Sequence, residues 1–100
     1  MKYTNEEIQA EFKGLPATAR QAFEKLNELG APVKFALTHD ENNRDYRGYF
    51  WISAEEGYTS RLWLDYYDKF WGCDTLNEVL DENGLYFEWE NAGFAGVYDN

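Results

Sequence analysis

Apolar positions recur along the chain first at helical and then at strand spacing. Ile8, Phe12 and Leu15 share one helical face, and Thr4 with Glu7 has capping-box spacing. This predicts a short helix near residues 5–13, ended by Gly14 and Pro16. From Pro16 to Gly30, Ala19, Ala22, Phe23, Leu26 and Leu29 form one stripe, which predicts a second helix. The period then changes to two. "VKFALTH" (33–39) alternates, "DENNRD" (40–45) reads as a polar hairpin loop, and "YRGYFWIS" (46–53) as a returning strand. "AEEGY" turns the chain, and "SRLWLDYY" (60–67) alternates again as a third strand. Asp74 is placed to cap a third helix over 75–83, closed by Gly84, with "LYFEWE" (85–90) and "FAGVY" (94–98) as the last strands. The predicted order is ααβββαββ. That is a single α+β domain over residues 1–100, an antiparallel sheet with helices on one face.

The same periods sort side chains by face. On the third helix, Leu76, Val79 and Leu80 fall in one arc, and Asp74, Glu78, Asp81 and Glu82 lie opposite, toward solvent. Asp74 and Asp81 are then about 10 Å apart along the axis, at roughly 1.5 Å per residue. In the next strand Leu85, Phe87 and Trp89 point inward. Tyr86, Glu88 and Glu90 point the other way, which spaces the two carboxylates about 7 Å apart. Arg61, Trp63, Asp65 and Tyr67 share a face of the 60–67 segment, as Tyr49 and Trp51 do of the strand before it. These positions predict a second sheet face of Tyr, Trp and carboxylates.

Charge sharpens this picture. The 100 residues carry a net charge of −10, unevenly spread. Residues 1–50 hold eight acids and seven bases, whereas residues 51–100 hold eleven acids and two bases, Arg61 and Lys69. Beyond Lys69 there are seven acids and no base. Like charges four residues apart on a helix cost about 0.2–0.5 kcal/mol per pair, and acids near its C-terminal end oppose the helix dipole. A surface selected for stability alone would intersperse Lys. This balance disfavours nucleic acid or an anionic membrane as a direct ligand and favours a basic partner. The 19 aromatic residues argue for a folded core despite the charge. The single Cys73 excludes an internal disulfide and fits a reducing compartment. "MKYTNEEIQAEF" has no signal-peptide character, and no apolar run reaches membrane-spanning length. A cytoplasmic protein is expected.

Catalytic chemistry finds little support. His39 is the only histidine, so a multi-histidine metal site is excluded. Its place at a strand end beside a polar loop fits a structural role. Cys73 lies at a helix start, but flanking acids oppose thiolate formation, and a small buried filler is its expected role. "DENNRD" lacks the ligand spacing of a calcium loop. Paired carboxylates of a glycosidase need a deep cleft. No Gly-rich phosphate loop occurs. The expectation is a protein that is not an enzyme, with no catalytic, metal or cofactor site.

Duplex DNA presents one negative charge per about 1.7 Å of axis, and a rigid acidic surface can occupy a groove built for it. In size, charge and aromatic content the chain resembles the small acidic proteins of phages and mobile elements that block restriction or CRISPR enzymes by mimicking DNA. The resemblance implies a basic nucleic-acid-binding partner, a nuclease or CRISPR complex, in a bacterial host cell. Under it Asp74, Glu78, Asp81 and Glu82 stand in for phosphates. Glu88, Glu90, Asp65 and Asp68 extend the track, with Glu55 and Glu56 at its margin, and Trp63 and Tyr86 add contact area. Two other readings are open. One is a general interaction module or adaptor centred on Tyr49, Trp51, Trp63, Tyr67 and Tyr86. The other is a small hydrolase or sugar-binding domain with a concave aromatic pocket. A monomer and a homodimer are both compatible with the sequence.

Overall fold

A computed structural model of the protein describes residues 3–36, 48–56 and 58–100. His39, the 40–45 loop and the first residues of the expected 46–53 strand lie outside the described residues.

The capping box forms as expected. The Thr4 hydroxyl accepts from Glu7 N at 3.2 Å, the Glu7 carboxylate accepts from Thr4 N at 2.8 Å, and α1 (Asn5–Glu11) follows. Helix α2 (Ala17–Leu29) begins after Pro16 and stops at Gly30, whose φ of 89° is a left-handed cap that glycine takes without strain. Ala19, Ala22, Phe23 and Leu26 are buried, but Leu29 is 43% exposed. Asn27 is buried in its place. These two residues sit on opposite margins of the stripe, roughly 80° from its centre at 100° per residue. The chain at Tyr3 covers the Asn27 margin. Tyr3 N donates to Asn27 Oδ1 and Asn27 Nδ2 donates to Tyr3 O, both at 3.0 Å.

The sheet comprises β1 (Val33–Phe35), β2 (Phe50–Ser53), β3 (Leu85–Asn91) and β4 (Phe94–Asp99), in the order β1-β2-β4-β3 with every pair antiparallel. Two further helices, α3 (Tyr58–Trp63) and α4 (Asp74–Glu82), come between β2 and β3. Register aligns Val33 with Ile52, Phe50 with Val97 and Phe87 with Val97, so these residues share one face. On that face Ile8, Phe23, Leu26, Leu76 and Leu80 from the helices join Phe50, Ile52, Leu85 and Val97 in one buried core. Aromatic rings fill it. Tyr3 stacks on Phe35 at 4.1 Å between centroids, and Phe23 meets Phe50 edge-on at 5.1 Å. The class is α+β, an antiparallel four-stranded sheet with its helices packed on one face.

Two expectations are corrected in detail. The 60–67 segment is not a strand, because residues 58–63 are helical and the chain then turns. Leu64 N donates to Ser60 O at 2.7 Å, and Asp65 Oδ1 then accepts from the N–H groups of Tyr67 and Asp68 at 2.9 and 3.1 Å. An aspartate that captures backbone donors just ahead of it competes with sheet pairing. β2 has both its edges filled by β1 and β4, which leaves this segment no strand to join there. The second correction concerns α4. Cys73 occupies the cap position without a side-chain cap bond, and Asp74 is the first helical residue. The Asp74 carboxylate still lies at the positive end of the helix dipole.

Candidate functional site

Helix α4 presents its acids as its period demands. Leu76, Val79 and Leu80 are buried, while Asp74, Glu78, Asp81 and Glu82 are exposed. Among the described residues the ion pairs all lie elsewhere: Arg20–Glu24, Lys34–Glu56, and Arg61 with Asp65 and Asp68. The helix stripe is therefore both outward and unneutralised.

The longer acidic track is not continuous. Arg61 lies 3.2 Å from Asp68 and 3.8 Å from Asp65, so both carboxylates face this chain's own guanidinium. The N–H groups of Asp68 and then Tyr67, helped by Arg61, hold the Asp65 carboxyl below the usual range against the opposing effect of burial. Asp65 organises a turn. Glu88 and Glu90 alternate with Phe87 and Trp89 along β3, and their side chains leave the sheet on the face opposite α4. There Glu88 accepts from the Tyr86 hydroxyl at 3.3 Å, and Glu90 accepts from the Tyr98 hydroxyl. Burial first, and then the bond to Glu90, push the Tyr98 phenol well above its ordinary range. Burial and the charge of Glu88 raise Tyr86 in the same direction. The carboxylates thus form two patches back to back. Glu56 pairs with Lys34 at 2.7 Å and stands apart from both.

The expected aromatic sheet face is also broken up. Trp51 is only 6% exposed, packs edge-on against Phe94 and donates its indole N–H to Phe35 O at 2.9 Å. Trp63 belongs to α3 and packs half-buried against the core. Tyr49 donates to Asp99 at 2.5 Å. Tyr67 is exposed on the turn after α3, and Tyr86 alone stays at 40% exposure on the outer face of β3.

The aromatic surface that does exist was not legible in the pattern. "DKFWGC" (68–73) has neither period, yet it places Trp71 at 79% exposure beside β3. Trp89 Nε1 donates to Phe70 O and Asn77 Nδ2 donates to Trp71 O, each at 2.8 Å, so the turn is tied to both β3 and α4. Gly72, at φ 77°, lies so close to Phe87, Leu76 and Asn77 that a Cβ there would meet atoms at 3.1–3.4 Å. The Phe70 ring stacks with Trp89 at 5.6 Å and meets Trp71 edge-on at 5.0 Å. Between this turn, α4 and β3 runs an open groove of about 630 Å³. Phe70, Trp71, Leu80 and Phe87 line it, and among the described residues its charged members are Asp81 and Glu88, with no base. Asp81 also belongs to the α4 stripe. The groove and the acidic helix form one surface.

No family model, curated protein or solved structure matches this chain. No group of three or more His, Cys, Asp or Glu able to hold a metal ion occurs among the described residues. No helix among them is long and apolar enough to cross a membrane.

Proposed function

We propose that this protein is a binding module that grips a basic segment of another protein through the α4–β3 surface. One observation carries the reading. Trp71 is 79% exposed on a turn tied to two elements, at the lip of an aromatic groove whose only charges among the described residues are negative. Tryptophans held in this way dominate binding energies because they bury a large area without first having to be ordered. The α4 carboxylates set the charge of the partner and speed the encounter. The test begins with a partner isolated from a bacterial lysate at low salt. Trp71→Ala is expected to weaken that complex about 30-fold, a hot-spot loss of roughly 2 kcal/mol. Glu78→Gln, Asp81→Asn and Glu82→Gln together are expected to slow association and flatten its salt dependence. Unchanged affinity in both variants overturns the proposal.

A second reading is supported by the exposure of all four α4 carboxylates. In it the basic surface of the partner is a nucleic-acid groove, of a nuclease or CRISPR complex, and Asp74, Glu78, Asp81 and Glu82 replace phosphates. The separation of Glu88 and Glu90 onto the other sheet face confines such mimicry to one helix. Duplex DNA then competes with this protein for the partner. Simultaneous binding of both excludes mimicry and leaves the binding module standing.

A further inference from the structure

We propose that the groove receives an extended segment of the partner as an added strand on the open edge of β3, a deeper statement that rests on the binding-module reading above. β3 is the last strand of the sheet and is paired through one edge only, to β4. The phase of its backbone is set by Asn100 N donating to Gly84 O at 2.9 Å. Alternation along an antiparallel ladder then turns the peptide groups of Tyr86 and Glu88 toward β4 and those of Leu85, Phe87 and Trp89 outward. The other side of β4 agrees, since Ala54 N donates to Gly93 O at 2.8 Å. Leu85 is fully buried, so the edge open to a partner is that of Phe87 and Trp89, and among the described residues no backbone group bonds to their outward N–H and C=O. These two lie about 7 Å apart at roughly 3.3 Å per residue.

Proteins usually protect such an edge with Lys, Pro, a bulge or a covering element. This one carries no Lys or Pro, and its register shift lies at the far end, between Trp89 and Asn91. α4 and Trp71 flank the edge and leave the groove open beside it. An added strand sends alternate side chains to opposite sheet faces. One set enters the aromatic groove along Phe70, Trp71 and Phe87, and the other lies over Tyr86 and Glu88. Charge selects the occupant. A second copy of this chain would bring another net charge of −10, and further acids of α4 and β3, to a contact without a base among the described residues. A segment alternating apolar residues with Lys or Arg satisfies both faces.

The probe is an acetylated, amidated seven-residue peptide alternating valine and lysine, added to the full chain labelled for amide hydrogen exchange. The Phe87 and Trp89 amides are expected to exchange at least tenfold more slowly, with Tyr86 and Glu88, already paired to β4, unchanged. A version N-methylated at the residues that face β3, and one with glutamate for lysine, are expected to give no protection. If the peptide perturbs Trp71 and leaves the two amides unprotected, strand addition is wrong and the binding surface stands. If the peptide has no effect at millimolar concentration, strand addition is also wrong. Protection that rises with protein concentration alone overturns the proposal in favour of a second copy. Full affinity for the natural partner in both the Trp71→Ala variant and the triple acid variant removes the underlying reading independently.

Discussion

Tyr49, Tyr86 and Tyr98 each donate to a carboxylate, respectively Asp99, Glu88 and Glu90. Alternation puts the Tyr86–Glu88 and Tyr98–Glu90 pairs on the outer sheet face, whereas Asp99 shares the register of Leu85 and Tyr49 packs against the core. Alternation does not explain that the pairs close. For Tyr49 the bond to Asp99 comes first and burial second, and for Tyr98 burial comes first. In each case the phenol is held neutral above its ordinary range. The linkage has a definite sign. The unfolded chain ionises these tyrosines near pH 10 and the folded chain does so higher. Their contribution is therefore complete below about pH 10 and is lost as pH rises through the folded values. Unfolding stability should fall with rising pH above 10, and Tyr98→Phe should reduce that slope, as urea titrations at pH 9, 10 and 11 would show. An unchanged slope in the variant would mean that Tyr98 titrates normally.

At the scale of the element, α4 was legible and α3 was not. Nine residues with Leu76, Val79 and Leu80 on one arc fit only a helix, and tertiary packing agreed. The 60–67 segment shows alternation over a length at which helix and strand remain ambiguous. There Ser60, Leu64 and the side chain of Asp65 decided for a turn of helix and a reversal. α4 also carries a conflict that its sequence foretold. Glu78 and Glu82 are like charges at i,i+4, and Asp81 and Glu82 lie at the negative end of the dipole. Replacing Asp81 and Glu82 by Lys should stabilise the fold by about 0.3–1 kcal/mol per site, measured by urea unfolding, while weakening the complex. A gain in stability without loss of binding would show that these acids serve solubility alone.

Over the whole molecule, a net charge of −10 accompanies a radius of gyration of 12.2 Å. Salt should act on this charge with opposite signs in two measurements. Raising ionic strength from about 0.05 to 0.5 M shortens the screening length severalfold and relieves self-repulsion. The thermal midpoint should therefore rise. The complex with a basic partner should weaken at least tenfold over the same range, because its attraction is screened too. A midpoint that falls with salt would mean that ion pairs such as Lys34–Glu56 outweigh the net repulsion.

Local periodicity alone determined the helices α1, α2 and α4, the last two strands, and the exposure of the α4 acids. These follow from 3.6- and 2-residue repeats that a short window contains. Only the tertiary structure decided that Arg61 takes Asp65 and Asp68, that the Tyr98 hydroxyl closes on Glu90, and that Trp51 is buried. It alone brought Phe70 and Trp71 beside an unpaired strand edge. Those outcomes depend on which strands are neighbours and on contacts between residues far apart in the chain. A pattern read along one segment records which way a side chain points, but not what stands opposite it.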